Sequence, residues 1–161
     1  MRVFISCATE DANLAMQLEA ALRRNGIETR SSLDFASGED WKRIVDRESA
    51  SADGFVFLLG AGASRNPQLQ AEWRWLLRND WESKKPLIPV IHAHDASLQD
   101  LPPFLRSRRA IVTTNFDTAI DGSHARATVE SGVGETSQRI GGFCLIAQIK
   151  EESAGGETKP Q

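Results

Sequence analysis

A chain of 161 residues, 40% of them hydrophobic and 25% charged, is long enough for one domain with its own core. Its formal net charge of −3 and isoelectric point near 5.6 provide no basic surface, so we expect no nucleic acid as a partner. Cys7 and Cys144 make no disulfide framework, and no apolar stretch approaches the ~20 residues of a membrane helix, which predicts a cytoplasmic protein without membrane contact.

The first strand and helix follow from the apolar pattern. Arg2–Ser6 predicts a buried strand, and its early start leaves no room for a signal peptide. Thr9 is expected to cap the next helix, with Glu10 and Asp11 in its first turn, where the helix dipole favours acids. Gly26 is expected to end this helix in the left-handed conformation. The apolar stripe of the helix consists of Leu14, Leu18, Ala21 and Leu22.

A shorter strand, a loop and a second helix come next. Residues 27–31 predict a short second strand, and residues 33–38 predict a loop. A helix is expected to start at Ser37 or Gly38. Its apolar side chains are Trp41, Ile44 and Val45.

The third strand and helix carry the most informative pattern. Residues 55–59 form an unbroken apolar run, typical of a strand that is covered on both faces of a parallel sheet. Asn66 and Pro67 predict a helix start, with Asn66 as the N-cap and Pro67 at the first helical position. The apolar face of this helix comprises Leu69, Trp73, Leu76 and Leu77.

Glu72 is the first candidate for chemistry. It lies about 60° around the helix from Leu69, so it flanks the apolar face rather than opposing it. It is also within two turns of the helix start, and therefore close to the carboxyl end of the preceding strand. Open α/β sheets bind ligands in the crevice at that edge.

The remaining elements are shorter. Residues 86–92 predict a fourth strand, and its prolines indicate that it is short or partly exposed. Residues 95–107 connect it to a fifth strand, Ala110–Thr113. The last helix is expected to include Phe116, Ile120 and Ala127.

The chain divides into a domain and an extension. After residue 130, glycines interrupt the pattern, residues 143–149 are an isolated apolar run, and residues 151–161 predict a disordered polar tail. We therefore expect a domain at residues 1–130 and a weakly structured extension at residues 131–161. Strands that alternate with helices predict a flavodoxin-like three-layer α/β sandwich. Its five-stranded parallel sheet would have the order 2-1-3-4-5, with helices on both faces.

Together these motifs resemble a TIR (Toll/interleukin-1 receptor) domain of the bacterial type. Residues 3–11 resemble the opening strand and acidic pair of the family, and residues 37–41 its glycine–aspartate–tryptophan segment. Residues 66–72 resemble its Ser-x-x-Cys-x-x-Glu signature, and residues 86–90 and 101–105 its later landmarks. The resemblance covers residue 1 to about residue 125, and the ordered set is more specific than any one motif.

The resemblance implies an NAD+ nucleosidase or ADP-ribose cyclase. In the family, the position of Glu72 carries cleavage of the nicotinamide–ribose bond, which yields nicotinamide and a linear or cyclic ADP-ribose signal. The resemblance also implies immune (anti-phage) signalling, in which a separate effector protein senses the product. Two departures are structurally mild: Cys7 stands where many members carry Tyr, and Asn66 and Leu69 replace the Ser and Cys of the third motif.

Family sites are often completed by the BB loop of a neighbouring subunit, which corresponds here to residues 33–38. The resemblance therefore implies self-association through Leu33 and Phe35, two apolar side chains that no local periodicity buries.

The chemistry of NAD+ cleavage is compatible with a single carboxylate. The leaving nicotinamide is a neutral pyridine, so it needs no general acid. An oxocarbenium-like ribose develops, and one carboxylate beside it can stabilise the charge and hold the ribose hydroxyls. By itself, the pattern favours a solvated Glu72 that pairs with an arginine such as Arg65, and the resemblance reverses that preference.

The other candidate residues are expected to contact the substrate. Phe35 and Trp41 are suited to stacking on nicotinamide or adenine, although Trp41 is equally suited to helix packing. Thr9, Glu10 and Asp11 lie where a strand ends and a helix begins, a position that suits ribose or phosphate, or capping alone. The full substrate-binding set is Ser6, Thr9, Glu10, Asp11, Phe35, Gly38, Trp41 and Asn66.

No metal or cofactor is expected, and NAD+ takes part as the substrate. His92, His94 and Asp95 are metal-compatible, but no further ligand follows at a required spacing. Cys7 is expected to be a small buried residue rather than a nucleophile, since no histidine is placed to activate it.

Two other functions stay open. One is a TIR adaptor that acts by self-association without catalysis, and the other is an enzyme like the nucleoside deoxyribosyltransferases, which also use a Glu. A sirtuin-like enzyme is disfavoured: residues 60–64 and 113–117 resemble its NAD-site motifs, but the N-terminal third would stay unexplained. A receiver domain is excluded, because it needs an Asp where the third strand ends in Leu59 and Gly60.

Overall fold

The computed structural model describes residues 1–35, 40–83, 85–121 and 126–128. The predicted extension at residues 131–161, with its apolar run and polar tail, lies outside these ranges. So do Ser37, Gly38 and Cys144.

The sheet confirms the predicted fold class. Five parallel strands take the order 2-1-3-4-5, as in a flavodoxin-like sandwich. They are β1 (Arg2–Ser6), β2 (Glu28–Ser31), β3 (Gly54–Leu59), β4 (Leu87–His92) and β5 (Ala110–Thr113). A short sixth strand, β6 (Arg126–Thr128), adds to the free edge of β5 in the antiparallel direction.

One predicted element is therefore wrong. Ala127 belongs to β6, where it pairs with Ile111, and not to the last helix. The outer edge of β5 presents backbone N–H and C=O groups, and a passing extended segment satisfies them better than a helix would.

The helices cover both faces of the sheet, as predicted. They are α1 (Ala12–Arg24), α2 (Trp41–Ser51), α3 (Pro67–Ser83) and α4 (Phe116–Asp121). Helices α1 and α4 pack on one face, and α2 and α3 pack on the other. None of the described helices combines the length and apolar character that a bilayer-crossing helix requires.

The strands supply both cores because successive side chains point to opposite faces. In β3, Val56 and Leu58 face α1 and α4, whereas Phe55, Phe57 and Leu59 face α2 and α3. Every residue of β3 is buried, which confirms the interpretation of its unbroken apolar run.

The helix ends confirm two predictions. Gly26 has a φ of 76° just after α1, so it ends that helix in the left-handed conformation. Asn66 caps α3, because its Oδ1 accepts a hydrogen bond from the N–H of Leu69 at 3.0 Å.

Two other predicted helix starts are wrong. Thr9 does not cap α1: it begins a 3-10 turn, Thr9–Asp11, and α1 starts only at Ala12. Helix α2 starts at Trp41 and not at Ser37 or Gly38, because the carboxylate of Asp40 caps it through the N–H of Lys42 at 3.1 Å.

Strand β4 lies centrally in the sheet, so the prediction of a partly exposed strand is wrong. Its proline, Pro89, is tolerated because of where the missing N–H points. Pro86 accepts from Phe55 of β3, and the alternation of the ladder therefore directs Pro89 towards β5. Pairing with β5 begins only at Val90, opposite Ile111. The absent donor of Pro89 thus falls before that ladder starts.

Candidate functional site

Glu72 lies on the first half of α3, at the carboxyl edge of the sheet. At about 100° per residue, it falls between the buried Leu76 and the half-buried Trp75 on one flank of the helix. Trp75 contacts α2 through Trp41, so this flank of α3 is the one that faces α2. Glu72 therefore lies on the flank of α3 that faces α2, near the start of both helices.

The environment of Glu72 disfavours a charged carboxylate. Burial raises the pKa of Glu72 from 4.5 to about 7. Among the described residues, no hydrogen bond or ion pair engages its side chain, so the proposed pairing with Arg65 is not formed. A half-buried acid without a partner lowers the stability of a fold, and such groups are concentrated at functional sites.

Two tryptophans stand beside this acid. The rings of Trp41 and Trp75 meet edge to face, with 5.5 Å between their centroids and 76° between their planes. The Nε1 of Trp41 is buried and finds no acceptor within the part of the chain that the structure describes. Sequence reasoning missed Trp75, although its spacing of three residues from Glu72 on a helix would have identified it as a neighbour.

Phe35 lies at the start of the BB loop and is folded back onto the domain. It packs against Phe4 at 6.5 Å between ring centroids. The guanidinium groups of Arg30 and Arg47 lie 5.6 and 5.4 Å from the centroid of its ring. Both arginines pair with Glu48, a buried carboxylate, at 3.7 and 3.5 Å.

Leu33 is also partly buried, against the core under α1. A capping box holds the turn that contains it: Ser31 accepts from the N–H of Leu33, and Asp34 accepts from the N–H of Ser31. The segment that precedes residues 36–39 is thus held firmly, and the two apolar side chains suggested for self-association are packed on their own domain.

Asp11 joins the two loops that flank the centre of the sheet. Its carboxylate oxygens accept hydrogen bonds from the N–H groups of Gly62 and Ala63, each at 3.0 Å. A Cβ on Gly60 would lie 2.4 Å from the Asp11 Oδ1, so that position requires glycine. The buried carboxylate of Asp11 is therefore already occupied by backbone donors rather than presented to a ligand.

Ser6 is fully buried, and its hydroxyl accepts a hydrogen bond from the indole of Trp73. The structure therefore does not present Ser6 to a ligand. Asn66 caps α3 as described above, while Thr9 and Glu10 are exposed at the same edge of the sheet. Of the predicted site residues, the structure brings Trp41 to the flank of α3 that carries Glu72.

A second polar group lies at the end of β4. The Nδ1 of His92 hydrogen-bonds to the carboxylate of Asp95, and its ring lies 5.6 Å from the rings of His94 and Phe116. Within the described ranges, no set of three His, Cys, Asp or Glu side chains is arranged to hold a metal ion. Burial raises the pKa of the Cys7 thiol to about 11, which suits a buried structural residue rather than a nucleophile.

A surface depression of about 390 Å³ lies far from Glu72, at the amino ends of β1 and β2. It is lined by Arg2, Arg23, Gly26, Ile27, Glu28 and Thr29. The amino edge of a parallel sheet is not where α/β folds bind ligands, and it holds no unpartnered acid comparable to Glu72 among these residues. We therefore place the candidate site at the carboxyl edge.

A comparison with protein families agrees with the observed fold. The family model described as "TIR domain" matches residues 3–127, which include α3, Glu72 and, apart from Arg2, all five parallel strands. No curated protein matches the chain. The match spans well over half of the sequence and coincides with the fold that the structure shows. The chain therefore belongs to the TIR domain family.

Proposed function

We propose that this TIR domain cleaves NAD+ at the nicotinamide–ribose bond, as a glycohydrolase or an ADP-ribose cyclase, with Glu72 as the catalytic residue. In hydrolysis, the C–N bond to nicotinamide breaks, water forms the new C–O bond, and one proton is released. In cyclisation, an internal nucleophile of the ADP-ribose replaces water.

The observation that supports this proposal most strongly is the state of Glu72. Its carboxyl is half-buried, without a partner in the described part of the chain, and its pKa is raised to about 7. Near neutral pH a substantial fraction is ionised, and NAD+ brings a positively charged nicotinamide ring. A carboxylate with little water around it attracts that charge, and the oxocarbenium-like ribose that follows, more strongly than a solvated one does.

The surroundings of Glu72 fit a substrate with flat rings. Trp41 and Trp75 line the same flank, and half-buried aromatic rings are suited to stacking on nicotinamide or adenine. One carboxylate suffices, since the leaving group is neutral when it departs. The family supplies the wider context: TIR domains self-associate and bind NAD+, and the product here would be a cytoplasmic immune (anti-phage) signal for a separate effector protein.

The direct test incubates the purified protein with NAD+ and resolves the products by chromatography. We expect nicotinamide together with linear or cyclic ADP-ribose. Glu72→Gln should abolish turnover while keeping the fold, because the amide cannot stabilise a cation as a carboxylate does. The matched control is Glu28→Gln, an exposed acid at the opposite edge of the sheet, which should keep full activity.

Other outcomes would replace the proposal. Exchange of bases between free nucleosides, with NAD+ untouched, would indicate a deoxyribosyltransferase-like enzyme. Concentration-dependent assembly without turnover of either substrate would indicate an adaptor. Near-normal NAD+ turnover by Glu72→Gln would show that the catalytic residue is misassigned.

A further inference from the structure

We propose that the indole N–H of Trp41 donates a hydrogen bond to the carboxylate of Glu72 in the active state, which makes Trp41 a positioning residue of the proposed NAD+ site. This inference rests on the proposed function and adds a role that stacking alone does not give Trp41. It follows from two polar groups that lack a hydrogen-bonding partner, one on α2 and the other on α3.

The first of these groups belongs to Trp41. Its Nε1 is buried, and no acceptor lies within hydrogen-bonding distance in the described part of the chain. A buried donor left without a partner destabilises the folded state, so native structures rarely keep one without a reason. The contrast with Trp73 is direct, because the indole N–H of Trp73 has an acceptor, the hydroxyl of Ser6, at 3.0 Å.

The second of these groups belongs to Glu72. Its carboxylate accepts no hydrogen bond from a described residue, and burial alone raises its pKa. A half-buried carboxylate lacks a donor and a buried N–H lacks an acceptor. Both groups gain a partner when the N–H donates to the carboxylate.

Trp75 connects the two helices that carry these groups. Its ring meets the ring of Trp41 at 5.5 Å, and it lies one helical turn from Glu72 on the flank of α3 that faces α2. Glutamate has three side-chain torsions, so its carboxylate can change position by a change of rotamer while the helix stays in place.

The other described charged side chains on these helices are exposed or interact with other groups. Asp40, next to Trp41, uses its carboxylate to cap α2, and Lys42 is exposed. On α3, the guanidinium of Arg74 lies 5.0 Å from the ring centroid of Phe104. Glu48 on α2 pairs with Arg30 and Arg47, and Asp46 has an interaction of its own, so Glu72 is the described acid on these two helices that is left to accept from Trp41.

Such a hydrogen bond has two effects on catalysis. It stabilises the ionised form of Glu72, so it lowers the pKa of that group and increases the fraction that is ionised at neutral pH. It also holds the carboxylate in one rotamer, which places the negative charge where the positive charge on the ribose develops.

The first test does not depend on turnover. The indole ¹H–¹⁵N signals of Trp41 and Trp73, assigned with Trp→Phe variants, are followed by NMR from about pH 5 to pH 9. We expect the Trp41 proton to move downfield as Glu72 ionises, with a midpoint between the ordinary pKa of 4.5 and about 7, and to lose that movement in Glu72→Gln. The Trp73 signal should stay constant and serves as the internal control. The inference would be overturned if the chemical shift of Trp41 did not change as Glu72 ionises, or if it changed only when ADP-ribose is added.

The second test uses Trp41→Phe, which keeps an aromatic ring and removes the N–H. We expect kcat to fall about 10-fold with little change in KM, and the acidic limb of the pH profile to move to higher pH. A loss of stability with an unmoved pH profile would leave Trp41 a packing residue and overturn the inference. If Glu72→Gln keeps normal turnover, the proposed function fails instead, and the NMR titration still decides whether the hydrogen bond exists.

Discussion

The indole N–H of Trp73 on α3 donates to the hydroxyl of Ser6 on β1 across 3.0 Å, and both side chains are fully buried. The ring of Trp73 also stacks on Phe57 of β3, with centroids 4.8 Å apart and planes only 6° from parallel. Helix α3 is thus attached to two neighbouring strands by one residue. This attachment determines the orientation of the helix that carries Glu72.

Removing either partner of this hydrogen bond should destabilise the fold. Ser6→Ala leaves the Trp73 N–H buried without an acceptor, which should cost about 1–3 kcal/mol of unfolding free energy. Trp73→Phe should cost about 2–4 kcal/mol, because it also leaves unfilled volume. Urea denaturation of both single variants and the double variant measures this. Since the double variant leaves no orphan donor, its loss should be smaller than the sum. Strict additivity would show that the bond contributes nothing.

The raised pKa of Glu72 predicts a stability change that depends on pH. The unfolded chain ionises near 4.5 and the folded chain near 7, so wild-type stability should fall as the pH rises between these values. Glu72→Gln removes this penalty. We expect it to match wild type at low pH and to exceed it above pH 7 by roughly 1–2 kcal/mol, allowing for solvent screening of a half-exposed group.

Urea midpoints of the two proteins at several pH values check this expectation. Glu28→Gln, at an exposed surface ion pair, is the control and should track wild type throughout. A Glu72→Gln protein that is less stable than wild type at pH 8 would mean that favourable contacts of the ionised carboxylate outweigh its desolvation, and that burial does not dominate its environment.

The losses of stability caused by substituting Asp11 and Gly60 should not be additive. Asp11→Ala removes two hydrogen bonds to a carboxylate, and we expect a loss of about 2–4 kcal/mol. Gly60→Ala should produce a similar loss, because its Cβ would lie 2.4 Å from the Asp11 Oδ1 and displace the same carboxylate. Combining the two changes should add little further loss.

Gly26→Ala provides the matched control for the glycine change. A Cβ on Gly26 meets nothing within 4 Å, so only its φ of 76° is strained. Its cost should be about 1 kcal/mol and should add fully to that of Asp11→Ala. Full additivity for Gly60→Ala as well would contradict the proposed coupling.

Phe35→Ala tests how the BB loop is held. Because Phe35 packs on Phe4 and two guanidinium groups lie against its ring, we expect a loss of about 1–2 kcal/mol in the isolated domain. This expectation differs from one based on an exposed loop residue, which would leave monomer stability unchanged. Thermal unfolding at a concentration where light scattering shows monomer is the measurement. An unchanged midpoint there would assign Phe35 to a partner instead.

Local patterns in the chain were sufficient for most of the architecture. The unbroken apolar run at β3 and the apolar face of α3 predicted elements that the structure shows, since burial along one element repeats at short, regular spacings. Asn66 and Pro67 predicted the start of α3 for the same reason, because the capping side chain and the N–H that donates to it lie within three residues. The family could also be identified from the order of such short motifs.

The contacts of individual site residues were decided by tertiary structure. Asp11 is 51 residues from Gly62, and Ser6 is 67 residues from Trp73, so no local spacing encodes either hydrogen bond. Pro89 was misjudged because its tolerance depends on where the neighbouring strand begins to pair. The unpartnered N–H of Trp41 and the burial of Glu72 likewise arise only when α2 and α3 pack side by side. Periodicity tells which face of an element is buried, whereas hydrogen bonds and desolvation depend on which atoms the folded chain brings within a few ångströms.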